Sequence, residues 1–247
     1  MFEVSALTDI GKTRPVNQDA LFCSLEPVGT MPNLFIVADG LGGHKGGDIA
    51  SKLAVTSFCD YIIKEHAAPV GESSKDNLLD ILASAANAAN SVVFNCAEKN
   101  PELFGMGTTF TACTISDGKC LVIHIGDSRA YIITPGKIKQ LTNDHSYVNE
   151  MVKAGEITRQ EARKHPRRNV LTKVLGIDSE MSADGCIAEA EPDSVILLCS
   201  DGLYNMVPEK KIVDLINNTK ADPAEALVEA ANSAGGKDNI TVIVVKL

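Results

Sequence analysis

The 247-residue sequence contains no tryptophan, and only 4% of it is aromatic. A platform that stacks single-stranded bases needs aromatic faces, so that class of function is disfavoured at once. Charge argues the same way. The formal net charge is -9, whereas phosphate-backbone binders are usually basic, so no nucleic-acid partner is expected. No apolar run approaches the roughly 18 residues of a membrane-spanning helix, so no membrane insertion is expected. Met1-Phe2-Glu3-Val4 shows no basic stretch followed by an apolar one, so no secretory leader is expected. No CxxC pair occurs among the seven cysteines, and Cys59, Cys113, Cys120 and Cys199 lie in apolar runs. They read as reduced core thiols of a cytoplasmic protein.

What is present suits a core-forming domain: 45% hydrophobic and 22% charged residues, in a length that one large domain or two small ones would fill. No low-complexity linker divides the chain, so residues 1–247 read as one domain. Phe2 to Leu7, Leu21 to Leu25 and Leu34 to Ala38 are expected strands. Apolar positions from Ile49 to His66 recur at helical spacing. Leu78, Leu82, Ala85, Ala89, Val92 and Cys96 mark a second helix. Strands follow at Thr108 to Ile115, Lys119 to Ile125, Ala130 to Thr134 and Lys137 to Leu141. Asp117-Gly118 and Pro135-Gly136 are turns between them.

From Asp144 to Gly176 the texture turns polar, and basic around Arg163 to Arg168, as in an excursion from a sheet. The last strands are Ser194 to Ser200 and Ile240 to Lys246. Two helices lie between them, the second capped by Asp222, opened by Pro223 and stopped by Gly235-Gly236. Helices therefore come in pairs and strands in hairpins. That order argues against βαβ units. It predicts an α+β fold, a four-layer α-β-β-α sandwich of two mostly antiparallel sheets flanked by pairs of antiparallel helices.

Four carboxylates stand at strand ends. Asp39 follows Leu34 to Ala38 and opens the glycine-rich Gly40-Leu41-Gly42-Gly43-His44. Asp127 follows Leu121 to Gly126, Asp201 follows Val195 to Ser200, and Asp238 precedes Ile240 to Val245. Sheet edges that deliver carboxylates to one place suit hard divalent cations such as Mg²⁺ and Mn²⁺, which take oxygen ligands in octahedral geometry. A glycine after the aspartate lets the backbone approach and offers a carbonyl. Two ions about 3.5–4 Å apart can share a carboxylate and a water, an arrangement suited to attack on phosphorus. Arg14 is the candidate cation for phosphate oxygens, because a guanidinium pairs bidentately with them. No cysteine has an arginine six residues later, so a thiolate-based phosphate site is absent.

These segments resemble the metal-dependent serine/threonine protein phosphatases of the PPM or PP2C type, in particular the small single-domain bacterial members. The resemblance runs nearly end to end. It includes Thr8-Asp9-Ile10-Gly11, Arg14-Pro15-Val16-Asn17-Gln18-Asp19-Ala20, Val37 to His44 and Gly107-Thr108-Thr109. It continues through Gly126-Asp127-Ser128-Arg129, Leu171 to Gly176, Ser200-Asp201-Gly202-Leu203 and Gly236-Lys237-Asp238-Asn239-Ile240-Thr241.

The resemblance implies roles. Asp39 bridges two Mn²⁺ or Mg²⁺ ions, with Asp201 and Asp238 completing the first site. The Gly40 carbonyl ligates the second, with Asp19 nearby through water. Asp127 joins Asp201 at a weaker third ion. Arg14 binds phosphate, and Asn239 orients the Asp238 loop. Residues 144–176 form a flap that affects substrate choice. A hydroxide shared by the two ions hydrolyses phosphoserine or phosphothreonine in proteins, opposing a Ser/Thr kinase, and the enzyme is a monomer. Some relatives carry a histidine directly after the Asp-Gly pair as general acid. Here that residue is Leu41, so the acid is unassigned, and His44 reads as a loop-stabilising residue.

Asp-Gly is also the commonest sort of turn dipeptide. For Asp117-Gly118 and Asp184-Gly185 the turn reading is preferred; for Asp39 and Asp201 the buried strand before each favours ligation. The basic cluster at Arg163 to Arg168 reads as a solvated face, with docking of acidic or phosphorylated partners as the sharper alternative. A pseudophosphatase that only holds a partner would have lost carboxylates, and none of the matched ones is missing.

Overall fold

The computed structural model describes residues 2–65, 76–135, 137–219 and 222–247, without the side chains of residues 43–45, 65, 76 and 77. The side chain of His44, and the expected helix end at His66 and turn residue Gly136, lie outside the described residues. Among the described residues, eleven strands fall in two sheets. One runs β1 (Glu3–Asp9), β11 (Ile240–Lys246), β10 (Val195–Cys199), β7 (Arg129–Thr134), β8 (Lys137–Gln140). The other runs β2 (Asp19–Ser24), β3 (Leu34–Leu41), β5 (Phe110–Ser116), β6 (Lys119–Ile125), β9 (Asp184–Glu189), with the two-residue β4 (Gly107–Thr108) paired to β3. All these pairings are antiparallel.

Three apolar clusters mark three interfaces between four layers. Phe35, Val37, Cys113, Val122, Ile196, Leu198, Ile243 and Val245 fill the space between the sheets. On the outer face of the β2-to-β9 sheet, Ile36, Ala38, Phe110 and Ile123 meet α1 (Gly43–Glu65) and α2 (Asp76–Lys99) through Ala54, Phe58, Leu82, Ala85 and Ala89. On the outer face of the other sheet, Tyr131, Leu197, Val242 and Val244 meet α5 (Asp201–Tyr204), α6 (Glu209–Asn218) and α7 (Pro223–Ser233) through Leu203, Ile212, Leu227 and Val228. Strands buried on both faces explain why β10 and β11 read as continuous apolar runs rather than alternating ones. The fold is the expected α-β-β-α sandwich.

Local chemistry sets several boundaries. Asp117 and Gly118 both take positive φ, 51° and 71°, as the tight hairpin between β5 and β6 requires. Asp222 accepts from Ala224 and Glu225 N–H groups and caps α7, with Pro223 in its first turn. The chain between β10 and β11 carries a third helix, the one-turn α5, which the sequence reading passed over. Asp184-Gly185 is not a turn: it opens β9, where Asp184 stands opposite His124 of β6. Cross-strand pairing with β6 outweighs the local turn preference of the dipeptide. Between β8 and β9 the excursion carries the short helices α3 (Tyr147–Lys153) and α4 (Arg159–Ala162), the latter closed by a Thr158–Glu161 capping box. Isolated bridges Ser146↔Leu171 and Thr108↔Leu175 tie it down.

Candidate metal centre

Asp39 was expected to end its strand. Instead β3 continues through Gly40 and Leu41, and Asp39 lies inside it, directly opposite Asp19 of β2. Aspartate and glycine are poor strand formers, but their backbone groups have partners here. Asp39 N–H donates to Thr109 Oγ1 (2.9 Å), and Asp39 O accepts from Thr109 N (2.8 Å) and Thr108 Oγ1 (2.9 Å). Gly40 N–H donates to Gln18 O at 3.1 Å, and a Cβ on Gly40 would lie 2.0 Å from Gly47 O, so only glycine fits.

The second sheet reaches the same place from the other side. Asp19 is buried, and its Oδ2 accepts from Ser200 Oγ (2.8 Å) and Thr241 Oγ1 (2.6 Å) at the facing ends of β10 and β11. Thr241 Oγ1 also lies 2.7 Å from Thr8 Oγ1 of β1. Asp201 follows Ser200 at the start of α5. Gly202 lets that helix close on the β11 entry, for a Cβ there would meet Asn239 O at 1.9 Å. Asn239 holds the Asp238 loop: its amide donates to Ile10 O and Val16 O, its Oδ1 accepts from Gln18 N, and its N–H donates to Asp238 Oδ1. Arg14 Nη2 donates to Asp238 Oδ2 at 2.7 Å from a half-exposed position.

Asp127, in the loop from β6 to β7, is held through its carbonyl, which accepts from Tyr204 OH of α5 at 3.0 Å. Arg129 stacks over the Tyr204 ring at 3.6 Å while gripping the Asp144 carboxylate. The sequence reading missed the hydroxyl set of Thr8, Thr109, Ser128 and Thr241. Its local trace is a hydroxyl residue standing in or at the edge of an apolar run, or directly after an aspartate as at Ser128.

Five aspartates are thus within electrostatic reach of one another. Burial pushes the Asp39 carboxyl well above the carboxylate range, and Asp19, Asp201, Asp127 and Asp238 add repulsion. Burial likewise lifts Asp201 well up, with Asp127, Asp238 and Asp19 adding and Arg14 opposing. Burial brings Asp19 to about 6, against the hydroxyl hydrogen bonds that lower it. Asp127 reaches about 6 through burial and Asp144. Arg14 moves upward beside Asp238.

Among the described residues no three acidic, histidine or cysteine groups already stand around one point as ligands. Arginine and hydroxyl donors hold individual oxygens instead. The residues nevertheless fit hard cations. The donors are all oxygen, one arginine leaves most of the negative charge uncompensated, and buried Asp19 Oδ1 has no partner.

The comparison with known proteins follows the same contour. The family model for protein phosphatase 2C matches residues 12–231. The serine/threonine phosphatase stp of Listeria welshimeri is 36% identical over 243 residues, which are 97% of this chain and 93% of that protein. The serine/threonine phosphatase of S. agalactiae superposes with a TM-score of 0.90 at 35% identity, over 99% of both chains. The catalytic domain of the serine threonine protein phosphatase PstP, in complex with two manganese ions, superposes with a TM-score of 0.84 at 32% identity, over 99% of this chain and 97% of that one. The family model covers most of the chain and both superpositions cover 99% of it, and the chain belongs to the protein phosphatase 2C family.

Proposed function

We propose that the protein hydrolyses phosphoserine and phosphothreonine in proteins with two Mn²⁺ or Mg²⁺ ions. Asp39, Asp201, Asp238 and the Gly40 carbonyl would hold them, with Asp19 alongside, and Asp127 would join Asp201 at a weaker third. The observation that carries this reading is the convergence of five aspartates, among which burial first and mutual repulsion second lift Asp39 and Asp201 well above the ordinary range. Only multivalent cations would let all of them ionise at neutral pH. Two such ions would supply Lewis acidity and make water a better nucleophile near neutral pH.

The chain's own residues do the rest. Arg14, already drawn to the site by Asp238, offers its fork of N–H donors to the phosphate oxygens and compensates their charge. Ser200 and Thr241 keep Asp19 aimed from the opposite sheet, and Asn239 fixes the Asp238 loop. A water gives up one proton as its oxygen joins phosphorus, the bond from phosphorus to the seryl or threonyl oxygen breaks, and that oxygen gains a proton from water, so that alcohol and inorganic phosphate leave. Leu41 has none to give.

Residues 1–247 act as one catalytic domain, with 144–176 as a flap beside the site that affects substrate choice. No described helix is long and apolar enough to cross a membrane. The protein works as a cytoplasmic monomer against a Ser/Thr protein kinase. The test is turnover of a phosphothreonine peptide by the purified chain with Mn²⁺, with EDTA, and as Asp39→Asn. Activity is expected only in the first. Full turnover in EDTA would overturn the proposal.

A further inference from the structure

The loop that carries Asp127 is fastened unevenly. On the Ser128 side it is bonded to the sheet itself: Ser128 Oγ lies 2.7 Å from Thr109 Oγ1, and Ser128 O accepts from Thr111 Oγ1 at 3.2 Å. On the Gly126 side both backbone groups go to one residue of the excursion, His145. Gly126 N–H donates to His145 Nδ1 at 3.1 Å, and Gly126 O accepts from His145 N at 2.7 Å. Gly126 sits at φ +96°, and a Cβ would lie 2.6 Å from the Thr109 side chain, so the turn requires glycine and the backbone there has no side chain of its own to anchor it.

His145 also closes the excursion on itself, since its carbonyl accepts from Thr172 N at 2.9 Å. Its ring is oriented from three sides. It stacks on buried His124 at 4.9 Å between centroids. Its Nε2 lies 3.1 Å from Asp184 Oδ2, in contact though off the hydrogen-bond axis. Asp184 is steadied in turn by Lys173 Nζ at 2.8 Å. Because Nδ1 accepts from a backbone N–H, the ring is neutral with its proton on Nε2, facing the Asp184 carboxylate. Burial holds the ring toward that neutral form, against the pull of Asp184.

We infer that His145, oriented by Asp184, is a positioning residue for Asp127: it clamps the Gly126 side of the loop and so links the base of the 144–176 excursion to the carboxylate of the third-ion site. The inference rests on the metal reading given above. Residues that orient metal ligands through one intermediary typically alter affinity or activity by about 10–100-fold when removed.

Two near-isosteric variants separate the clamp from mere packing. Asparagine at 145 puts an acceptor where Nδ1 stands; glutamine puts its polar end where Nε2 stands. Mn²⁺ binding to the whole protein is measured by calorimetry, beside kcat and KM for a phosphothreonine peptide and the melting temperature in EDTA. His145→Gln and His145→Ala should weaken the weakest Mn²⁺ site and lower kcat at fixed Mn²⁺ by about tenfold or more, leaving KM and the tighter sites near wild type. His145→Asn should recover most of that loss. Asparagine no better than glutamine, or weakest-site affinity unchanged in folded His145→Ala, would overturn the assignment. If the alanine protein does not fold, the asparagine–glutamine comparison decides. A wild-type chain that binds no Mn²⁺ would instead refute the metal reading itself.

Discussion

Asp19→Asn should make the metal-free protein more stable while making the enzyme worse. Asp19 is buried with one oxygen on Ser200 and Thr241 and the other without a partner. Its carboxyl titrates near 6 rather than 3.8, burial being the main cause. A shift of roughly two units corresponds to about 3 kcal/mol of disfavoured ionisation at pH 7.5. The sign follows from proton counting. Between pH 4 and 6 the folded state holds more protons on Asp19 than the unfolded state does, so metal-free stability falls as pH rises through that window. Asparagine removes the ionisation cost and keeps an acceptor for the two hydroxyls. Its NH₂ replaces the oxygen that has no partner, and an unsatisfied donor would return about 1–3 kcal/mol. A net gain of up to about 2 kcal/mol at pH 7.5 is therefore expected, shrinking as pH falls toward 4. The assay is urea unfolding in EDTA at pH 7.5, 6 and 5, for wild type and variant. In saturating Mn²⁺ the order should reverse, because only the wild-type carboxylate contributes to ion binding. A variant weaker than wild type in EDTA at pH 7.5, or a stability difference from wild type that does not change with pH, would refute the reasoning.

Three further outcomes are expected. Arg14→Met should cut kcat/KM on a phosphothreonine peptide by about 10–100-fold, the loss of a charge-assisted hydrogen bond to phosphate, while Mn²⁺ binding measured by calorimetry persists. Gly202→Ala should destabilise the chain by several kcal/mol in chemical denaturation, of order 3 or more, because the added methyl meets Asn239 O at 1.9 Å and backbone must move. Buried His124 titrates near 4, burial first and His145 second, below its ordinary 6.5. It therefore contributes stability that is present above pH 6.5 and is lost as pH falls toward 4, up to about 3 kcal/mol. His124→Gln should flatten that part of the acid limb in urea midpoints measured between pH 7 and 4.5.

The layers of the fold were legible because burial leaves a local mark. Runs such as Val195-Ile196-Leu197-Leu198 and Ile240 to Val245 are apolar on both faces, as strands covered on both sides must be. Paired helical patterns between hairpins then left one economical architecture. Asp39, Asp127, Asp201 and Asp238 were legible for the same reason, since a carboxylate at the margin of a buried run is conspicuous. Boundaries were less so. Local propensity stops β3 at Ala38, yet the strand runs to Leu41, because Thr108 and Thr109, some 70 residues on, satisfy its backbone.

Local patterns in the sequence suffice for the layer composition, for the resemblance to metal-dependent phosphatases and for singling out the candidate carboxylates. Only the tertiary structure decided that Asp19 and Asp39 face each other across a strand pair, and that hydroxyls of the second sheet hold Asp19. It also decided that Arg14 rests on Asp238, and that Asp184 is a strand residue beside His145 rather than a turn. The physical reason is range. Hydrophobic periodicity is a property of neighbours in sequence, whereas hydrogen bonds between residues about 180 or 220 positions apart depend on which sheet edges meet, and no local pattern encodes that.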